Sequence, residues 1–415
     1  MYRVEADGSA MVWGVPVAPF VPIQHLQIDV STVNRIGNYC LRFARESGWL
    51  KRADEVGHHT PGTGSHESRP LAQEDHRTST DSGHTFFFAG LEEVLENPLP
   101  RFQSLQTPPT LLAAAHFYLV HVGNTSYSVY GRLYTYLDGQ DETARDLLGS
   151  FKVTAVWISK KRRAPEALPA DQQSHLQSIA EKGTGRLLAS GDARVQRLIV
   201  KDHLQHSGWF ADASAVAAMQ LAAYSPLSES PPAEFLVSLP GIPTPEPLWL
   251  LHRRLFTLRE SDIDLNLHVN QLVTKLLVID AFRGAVADAR CAYSRLLRPG
   301  VLPNRADLLL RKFRIDYVRE IPINYAATEV YIFPVDTARA KRQFSSAGAS
   351  VDRACAVVAT AAVHTDSAVG DAPVGGDTMD IGFFTVGVPK LDDISSNERF
   401  IATVGVMTAF TAFLH

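Results

Sequence analysis

One plan occurs twice along the chain, and this repetition constrains the fold more than any other feature. In each half, a short strand-like segment leads into a helix with apolar residues every three to four positions, and long strand-like segments follow. The long segments are residues 110–122, 126–137 and 150–159 in the first half, and 306–317, 326–333 and 355–364 in the second. The pattern predicts an α+β protein with two domains, each combining one helix with several antiparallel strands.

The length agrees with two domains, and the net charge argues against some functions. The chain has 415 residues and a net charge of −4, so neither general nucleic-acid binding nor attraction to anionic membranes is expected. Cys40, Cys291 and Cys355 are widely spaced, which predicts neither a disulfide framework nor a zinc site. The first residues lack a secretory signal pattern, and no apolar run reaches the ~18 residues of a membrane span. We therefore expect an intracellular protein, in the cytoplasm or an organelle lumen, that is not secreted.

Composition shifts along the chain suggest its domain boundaries. Residues 52–84 are polar and rich in histidine, but their histidines follow no ligand spacing, so we expect a surface insertion rather than a metal site. Residues 239–247 are rich in proline, as in a linker. The predicted parts are an N-terminal domain over residues 1–185, a helical connector with the linker over 186–247, a catalytic domain over 248–370 and a C-terminal extension over 371–415.

The second copy of the plan contains a concentration of polar groups. Asp264, Asn266 and His268 alternate with apolar residues, and a strand with this period would point all three side chains the same way. A helix follows, so the backbone N–H groups of Val269 and Asn270 are candidates for an oxyanion hole. A carboxylate, a carboxamide and an imidazole at a helix N-terminus suit chemistry at a carbonyl group.

The first copy resembles the second without its histidine. Residues 28–34 are a loose echo of residues 263–270, which suggests an internal duplication with a period of roughly 235 residues. In this alignment Asp29 stands where Asp264 stands, but it has no histidine partner. The first domain is therefore expected to be non-catalytic.

Two motifs of the second half resemble those of a known family. Residues 261–270 (SDIDLNLHVN) resemble the D-x-N-x-H-V-N motif of the plant and bacterial acyl-ACP thioesterases, and residues 315–320 (IDYVRE) resemble that family's L-E-Y-R-R-E strand. The resemblance implies a double hotdog fold, in which each of two domains wraps a long antiparallel sheet around a central helix. It also implies that Asp264, Asn266 and His268 form the active-site triplet and that Glu320 is a fourth catalytic carboxylate.

The reaction implied by this resemblance is hydrolysis of the thioester of acyl-ACP or acyl-CoA to a free fatty acid. Asp264 or Glu320 would activate the water, and the sequence leaves open which of the two is the base. Asn266 would orient substrate or water, and His268 would donate to the carbonyl or transfer the proton. No metal or organic cofactor is implied.

Two other functions fit the sequence. The first is a hotdog hydratase or dehydratase acting on acyl-CoA, although its D-x-N-x-x-H motif differs in spacing from Asp264, Asn266 and His268. The second is a catalytically silent protein that binds acyl groups or serves as a scaffold. Paired hotdog sheets would satisfy each other within one chain, and a homodimer of the double unit stays open.

A basic run closes one strand of the first half. Lys160, Lys161, Arg162 and Arg163 follow the strand at residues 150–159. Such a run suits the phosphates of a cofactor-like substrate or an acidic carrier protein, and it equally suits a solvated turn. The sequence alone does not separate these two interpretations.

Overall fold

The structure is a computed structural model. It describes residues 1–21, 28–51, 83–96, 110–140, 145–162, 164–189, 235–237, 248–264, 267–296, 310–336, 340, 378–390 and 398–410. The chain divides into two compact units, which differ from the predicted domains. The first comprises Met1–Phe20, Val33–Leu91 and Phe102–Leu198, and the second comprises Val21–Thr32, Glu92–Arg101 and Ile199–His415. The predicted linker at residues 239–247 and the helix expected in the connector lie outside the described residues, as does nearly all of the insertion.

The first unit is an antiparallel sheet with two long helices. Its elements are β1 (Tyr2–Val4), β2 (Ala10–Pro16), α1 (Val30–Glu46), β3 (His84–Leu95), β4 (Leu111–Val122), β5 (Ser126–Leu137), β6 (Asp146–Ser159), β7 (Ala164–Pro165) and α2 (Ala170–Ala189). The strands are ordered β1-β2-β4-β5-β6-β3, and β7 pairs with β6. The predicted hairpin at residues 110–137 is confirmed, with Tyr118 opposite Tyr130.

Helix α1 lies directly on this sheet because one of its residues has no side chain. A Cβ atom at Gly37 would come within 2.8 Å of the Phe151 ring on β6, so only glycine permits the observed approach. Val33, Ile36 and Cys40 form the buried face of the helix, as the apolar periodicity predicts. The helix begins at Val30, directly after Asp29.

The second unit repeats the arrangement. Its elements are β8 (Leu236–Val237), β9 (Leu248–Trp249), β10 (His252–Thr257), α3 (Gln271–Ala287), β11 (Leu310–Tyr317), β12 (Tyr325–Pro334), β13 (Thr378–Pro389) and β14 (Phe400–Phe410). Its main sheet has the order β11-β14-β13-β12-β10, and β8 pairs with β9 separately. Helices α1 and α3 each contain 17 residues. The predicted α+β class is confirmed.

The prediction that residues 371–415 form a C-terminal extension is wrong. Strands β13 and β14 come from this region and lie in the middle of the second sheet, between β11 and β12. Glycines within β13 made the segment look irregular, but Phe383, Phe384 and Val386 are completely buried. A strand covered on both faces has a continuous apolar run instead of an alternating one. The strand predicted at residues 355–364 lies outside the described part of the chain.

Within the described ranges, no helix combines the length and the apolar character that crossing a membrane requires.

Candidate active site

The segment that contains the candidate residues is a tight turn. Ile263 bridges Val269 in antiparallel fashion, so the chain reverses between them. The Asp264 N–H donates to the His268 carbonyl at 2.8 Å, and the Leu267 N–H donates to the Asp264 carbonyl at 3.0 Å. Leu267 has φ +64°, in the left-handed region. The prediction of an extended strand through residues 264–268 is therefore wrong, because the alternating pattern contains no information about this reversal.

The turn and a neighbouring segment bring three of the four predicted catalytic residues together. Asp264 Oδ1 accepts the backbone N–H of His268 at 3.3 Å. His268 also bridges Pro322, and its Nε2 lies 3.3 Å from Glu320 Oε2. The fourth residue, Asn266, lies outside the described residues.

The exposure of the two paired side chains differs. The His268 side chain is 8% exposed, whereas that of Glu320 is 35% exposed. Glu320 therefore reaches solvent, while the imidazole is held inside the protein next to it. A carboxylate in contact with both water and an imidazole is suited to moving a proton between them.

The predicted oxyanion hole is wrong. The Val269 N–H donates to the Ile321 carbonyl at 2.9 Å, and the Asn270 N–H donates to the Asp262 carbonyl at 2.8 Å. Both groups are already used because residues 268–270 pair with neighbouring backbone before the helix begins. Asn270 instead caps helix α3, since its side-chain oxygen accepts the Leu272 N–H at 2.8 Å.

The surroundings of the His268–Glu320 pair are largely apolar. The residues that follow His268 and Glu320 in sequence, Val269 and Ile321, belong to one apolar cluster with Tyr325, Phe400 and Ala402. Four large apolar side chains near it in sequence are exposed: Leu267, Leu272, Val318 and Ile323. We call these four the apolar rim. The Ile323 N–H donates to the Leu267 carbonyl at 3.0 Å, so these two members of the rim are neighbours in space as well.

Sequence reasoning missed two buried charged residues near the start of α3. Lys275 and Glu93 are both 0% exposed, and the Lys275 ammonium group bonds directly to the Glu93 carboxylate. The signal was present in the sequence, since Lys275 is the single charge among residues 272–279, which are otherwise apolar except for Thr274. A lysine on a buried helix face requires a buried anion, and Glu93 is that anion.

The predicted basic run belongs to the first unit. Lys160, Lys161 and Arg162 follow β6 and are exposed, while Arg163 lies outside the described residues. Arg162 is paired with Glu166, and the Lys160 N–H donates to the Gly83 carbonyl at 2.7 Å. Arg162 thus has an internal partner, as expected of a solvated turn.

In the described part of the chain, no three or more histidine, cysteine or acidic side chains are grouped so that they could hold a metal ion.

Each half combines long antiparallel strands with a 17-residue helix, the elements expected of the double hotdog fold that the resemblance implies. Among solved structures, the chain is similar to the 12:0-ACP thioesterase from Umbellularia californica, with 9% identity, a TM-score of 0.44 and coverage of 96% of both chains. It is also similar to an acyl-ACP thioesterase from Bacteroides thetaiotaomicron, with 11% identity, a TM-score of 0.43 and coverage of 97% and 99%. No protein-family model and no curated protein sequence matches the chain.

Proposed function

We propose that this protein is an acyl thioesterase, which hydrolyses a thioester to a free acid and a thiol. The observation that carries the proposal is the His268 Nε2 to Glu320 Oε2 distance of 3.3 Å, in a pair that is open to solvent on the carboxylate side. Asp264 lies in the same turn as His268, and its carboxylate accepts the His268 backbone N–H. The motifs at residues 261–270 and 315–320, which suggested the activity, supply all three residues.

Glu320 is the proposed general base, because its carboxylate reaches solvent and touches the imidazole. Glu320 takes a proton from water while the water oxygen bonds to the thioester carbonyl carbon. The tetrahedral intermediate then collapses, the carbon–sulfur bond breaks, and His268 delivers a proton to the leaving thiolate. Glu320 passes the proton that it took from water to His268, which restores the pair. Asp264 is the proposed positioning residue of the turn, and Asn266 keeps its predicted role of orienting substrate or water.

The proposed substrates are acyl groups carried by acyl carrier protein or coenzyme A, both of which end in the same pantetheine thiol. The apolar rim suits contact with the uncharged arm of such a substrate. Lys160, Lys161, Arg162 and Arg163 are the proposed contacts for phosphate groups or for an acidic carrier. Arg162 is the weakest of these four, since it is paired with Glu166.

The test is thiol release from acyl-CoA and acyl-ACP substrates of increasing chain length. We expect Glu320→Gln to lower kcat/KM by about 10²- to 10⁴-fold, the usual contribution of a general base. His268→Gln should produce a loss of similar size. Asp280→Asn is the matched control, because Asp280 is a half-exposed carboxylate of the same unit that pairs with Arg283. Equal activity of Glu320→Gln and wild type would refute the assignment of the base.

One observation favours a second candidate function, a protein that binds acyl groups without turnover. The N–H groups of Val269 and Asn270 are already hydrogen bonded, so the donors expected to stabilise an oxyanion are missing from that position. Calorimetry with a non-hydrolysable acyl-CoA thioether separates the two functions. Binding of this ligand by a wild-type protein that releases no thiol from any substrate would establish the second candidate.

A further inference from the structure

The buried pair of Lys275 and Glu93 joins helix α3 to the end of strand β3. Glu93 is near the end of β3, in the portion of that strand that belongs to the second unit. The Lys275 ammonium group also lies 5.0 Å from the centre of the Phe313 ring on β11. Further along the helix, Val278 and Phe282 are buried apolar residues. The pair is thus one charged contact within an apolar helix–sheet interface.

A second polar contact joins the same helix to β11. The Tyr317 hydroxyl donates to the Gln271 carbonyl at 3.2 Å. Gln271 is the first residue of α3 and Tyr317 is the last residue of β11. Burial raises the pKa of Tyr317, and the nearby carboxylates of Glu93 and Asp316 raise it further, so the hydroxyl keeps the proton that it donates.

These contacts are close in sequence to the candidate catalytic pair. His268 is three residues before Gln271, and Glu320 is three residues after Tyr317. A shift of α3 along β11 would therefore be transmitted through only a few bonds to the separation of His268 and Glu320. Such a shift would act on the backbone pairing of residues 267–269 with residues 321–323, which holds these two side chains side by side.

Stability does not explain the buried ion pair. Removing two charges from water is costly, and replacing such a pair with apolar residues of similar size is often neutral or stabilising. Apolar side chains, however, tolerate small displacements along a helix–sheet interface. An ammonium group that must meet one carboxylate allows a single register, since any other register leaves two buried charges apart.

We propose that Glu93, Lys275 and Tyr317 form a register lock that fixes α3 on the ends of β3 and β11 and so holds His268 beside Glu320. All three are positioning residues, because they bond to each other's elements rather than to a substrate. The lock itself stands on geometry alone, and its consequence for the reaction rate rests on the proposed thioesterase function.

The main test is the double variant Glu93→Leu, Lys275→Met, studied in the full chain. Its melting temperature should equal or exceed that of the wild type, because the desolvated charges are gone. In its crystal structure the His268 Nε2 to Glu320 Oε2 distance should exceed about 4 Å, outside hydrogen-bond reach. The kcat should fall about tenfold or more while KM changes by less than about threefold, as expected for a misplaced catalytic group.

Tyr317→Phe is the second variant, and it keeps the proposal testable if the double variant does not fold. It removes one hydroxyl. We expect kcat to fall about threefold or more while KM stays near the wild-type value. Tyr136→Phe is the matched control, because the Tyr136 hydroxyl also holds a backbone group, the Gly14 N–H, in the first unit. The control should have the wild-type kcat.

The outcomes distinguish the lock from the proposed function. A double variant whose His268–Glu320 distance stays at the wild-type value overturns the lock, whatever the enzyme does. A wild-type protein that releases no thiol overturns the thioesterase, while a lengthened distance in the double variant still supports the lock. Wild-type activity combined with unchanged kcat in both variants overturns the lock and leaves the thioesterase standing.

Discussion

Leu267 is the residue at which sequence pattern and structure differ most. The alternation in residues 263–269 places it on an apolar face, yet it is 57% exposed and has φ +64°. A left-handed conformation costs a leucine roughly 1–2 kcal/mol, whereas asparagine adopts it more easily. The structure therefore holds an unfavourable backbone and an exposed apolar side chain next to His268.

We expect Leu267→Asn to raise the free energy of unfolding by about 0.5–1 kcal/mol, since asparagine relieves the backbone without burying a polar group. Leu255→Asn is the matched control, because Leu255 is 55% exposed but lies in the extended strand β10. There asparagine is disfavoured, and the variant should lose stability. Urea unfolding of the two variants provides the comparison, and equal losses in both would contradict the expectation.

The sequence predicted which residues of the site would meet, but not how the backbone would hold them. Asp264, His268 and Glu320 come together because one motif ends just before α3 and the other lies at the end of β11. The roles assigned to the Val269 and Asn270 N–H groups failed for a different reason. Whether a backbone donor is already used depends on partners such as Ile321 and Asp262, which local periodicity does not specify.

Strand β10 contributes a histidine with a strongly shifted titration at its contact with α3. His252 Nε2 is buried and has no hydrogen-bond partner among the described residues. Burial, with Arg254 nearby, lowers the pKa of His252 to about 4, although Asp288 opposes the shift. Gly284 of α3 permits this contact, because a Cβ atom there would lie 3.3 Å from His252 Nε2.

This shift makes stability dependent on pH in a defined direction. In the unfolded chain a histidine titrates near pH 6.5, so between about pH 6.5 and 4 the unfolded state binds more protons than the folded state. The contribution of neutral His252 to the free energy of unfolding is fully present above pH 6.5 and is lost as the pH falls towards 4. We expect His252 to account for about 2 kcal/mol of the stability lost between pH 7 and pH 5.

Denaturant unfolding of wild type and His252→Phe at these two pH values measures the contribution. The variant keeps a ring of similar shape but cannot titrate, so its stability should fall less on acidification. Parallel losses in the two proteins would show that His252 does not produce the dependence.

Among the strands, the pairing of segments that are close in sequence was predicted correctly, whereas the pairing of distant segments was not. The hairpin of β4 and β5 follows from two strand-like runs joined at Gly123 and Asn124, which are close in the chain. The central place of β13 and β14 in the second sheet depends on pairing with β11 and β12, at large separation in sequence. No local pattern reports such an order, which explains why this region was assigned to an extension.

For the whole molecule, the structure changes how the internal duplication is aligned. Helices α1 and α3 have equal lengths, and each is preceded by a polar residue, Asp29 or Asn270. Asp29 Oδ1 accepts the Thr32 N–H at 2.8 Å, as Asn270 accepts that of Leu272. Asp29 thus corresponds to the cap Asn270 rather than to Asp264, so the duplicated feature is the capped helix and not the turn that carries the candidate catalytic residues.

This alignment predicts opposite effects for two aspartates that the sequence pattern treats as equivalent. Asp29→Ala should lower the free energy of unfolding by about 2 kcal/mol, because a buried cap with several donors is lost. Asp29→Asn retains an acceptor and should recover most of that stability, with kcat near wild type in both variants.

Asp264→Ala should do the reverse, lowering kcat/KM by about 10²-fold or more because His268 is misplaced, while changing stability by less than about 1 kcal/mol. Its side chain accepts the His268 N–H at 3.3 Å, a longer bond than the 2.8 Å from the Thr32 N–H to Asp29, so less folding energy depends on it. Unfolding curves and thiol-release rates for the three variants measure both quantities. An Asp29→Ala variant that loses activity without losing stability would restore the original alignment and imply that the first half has a site of its own.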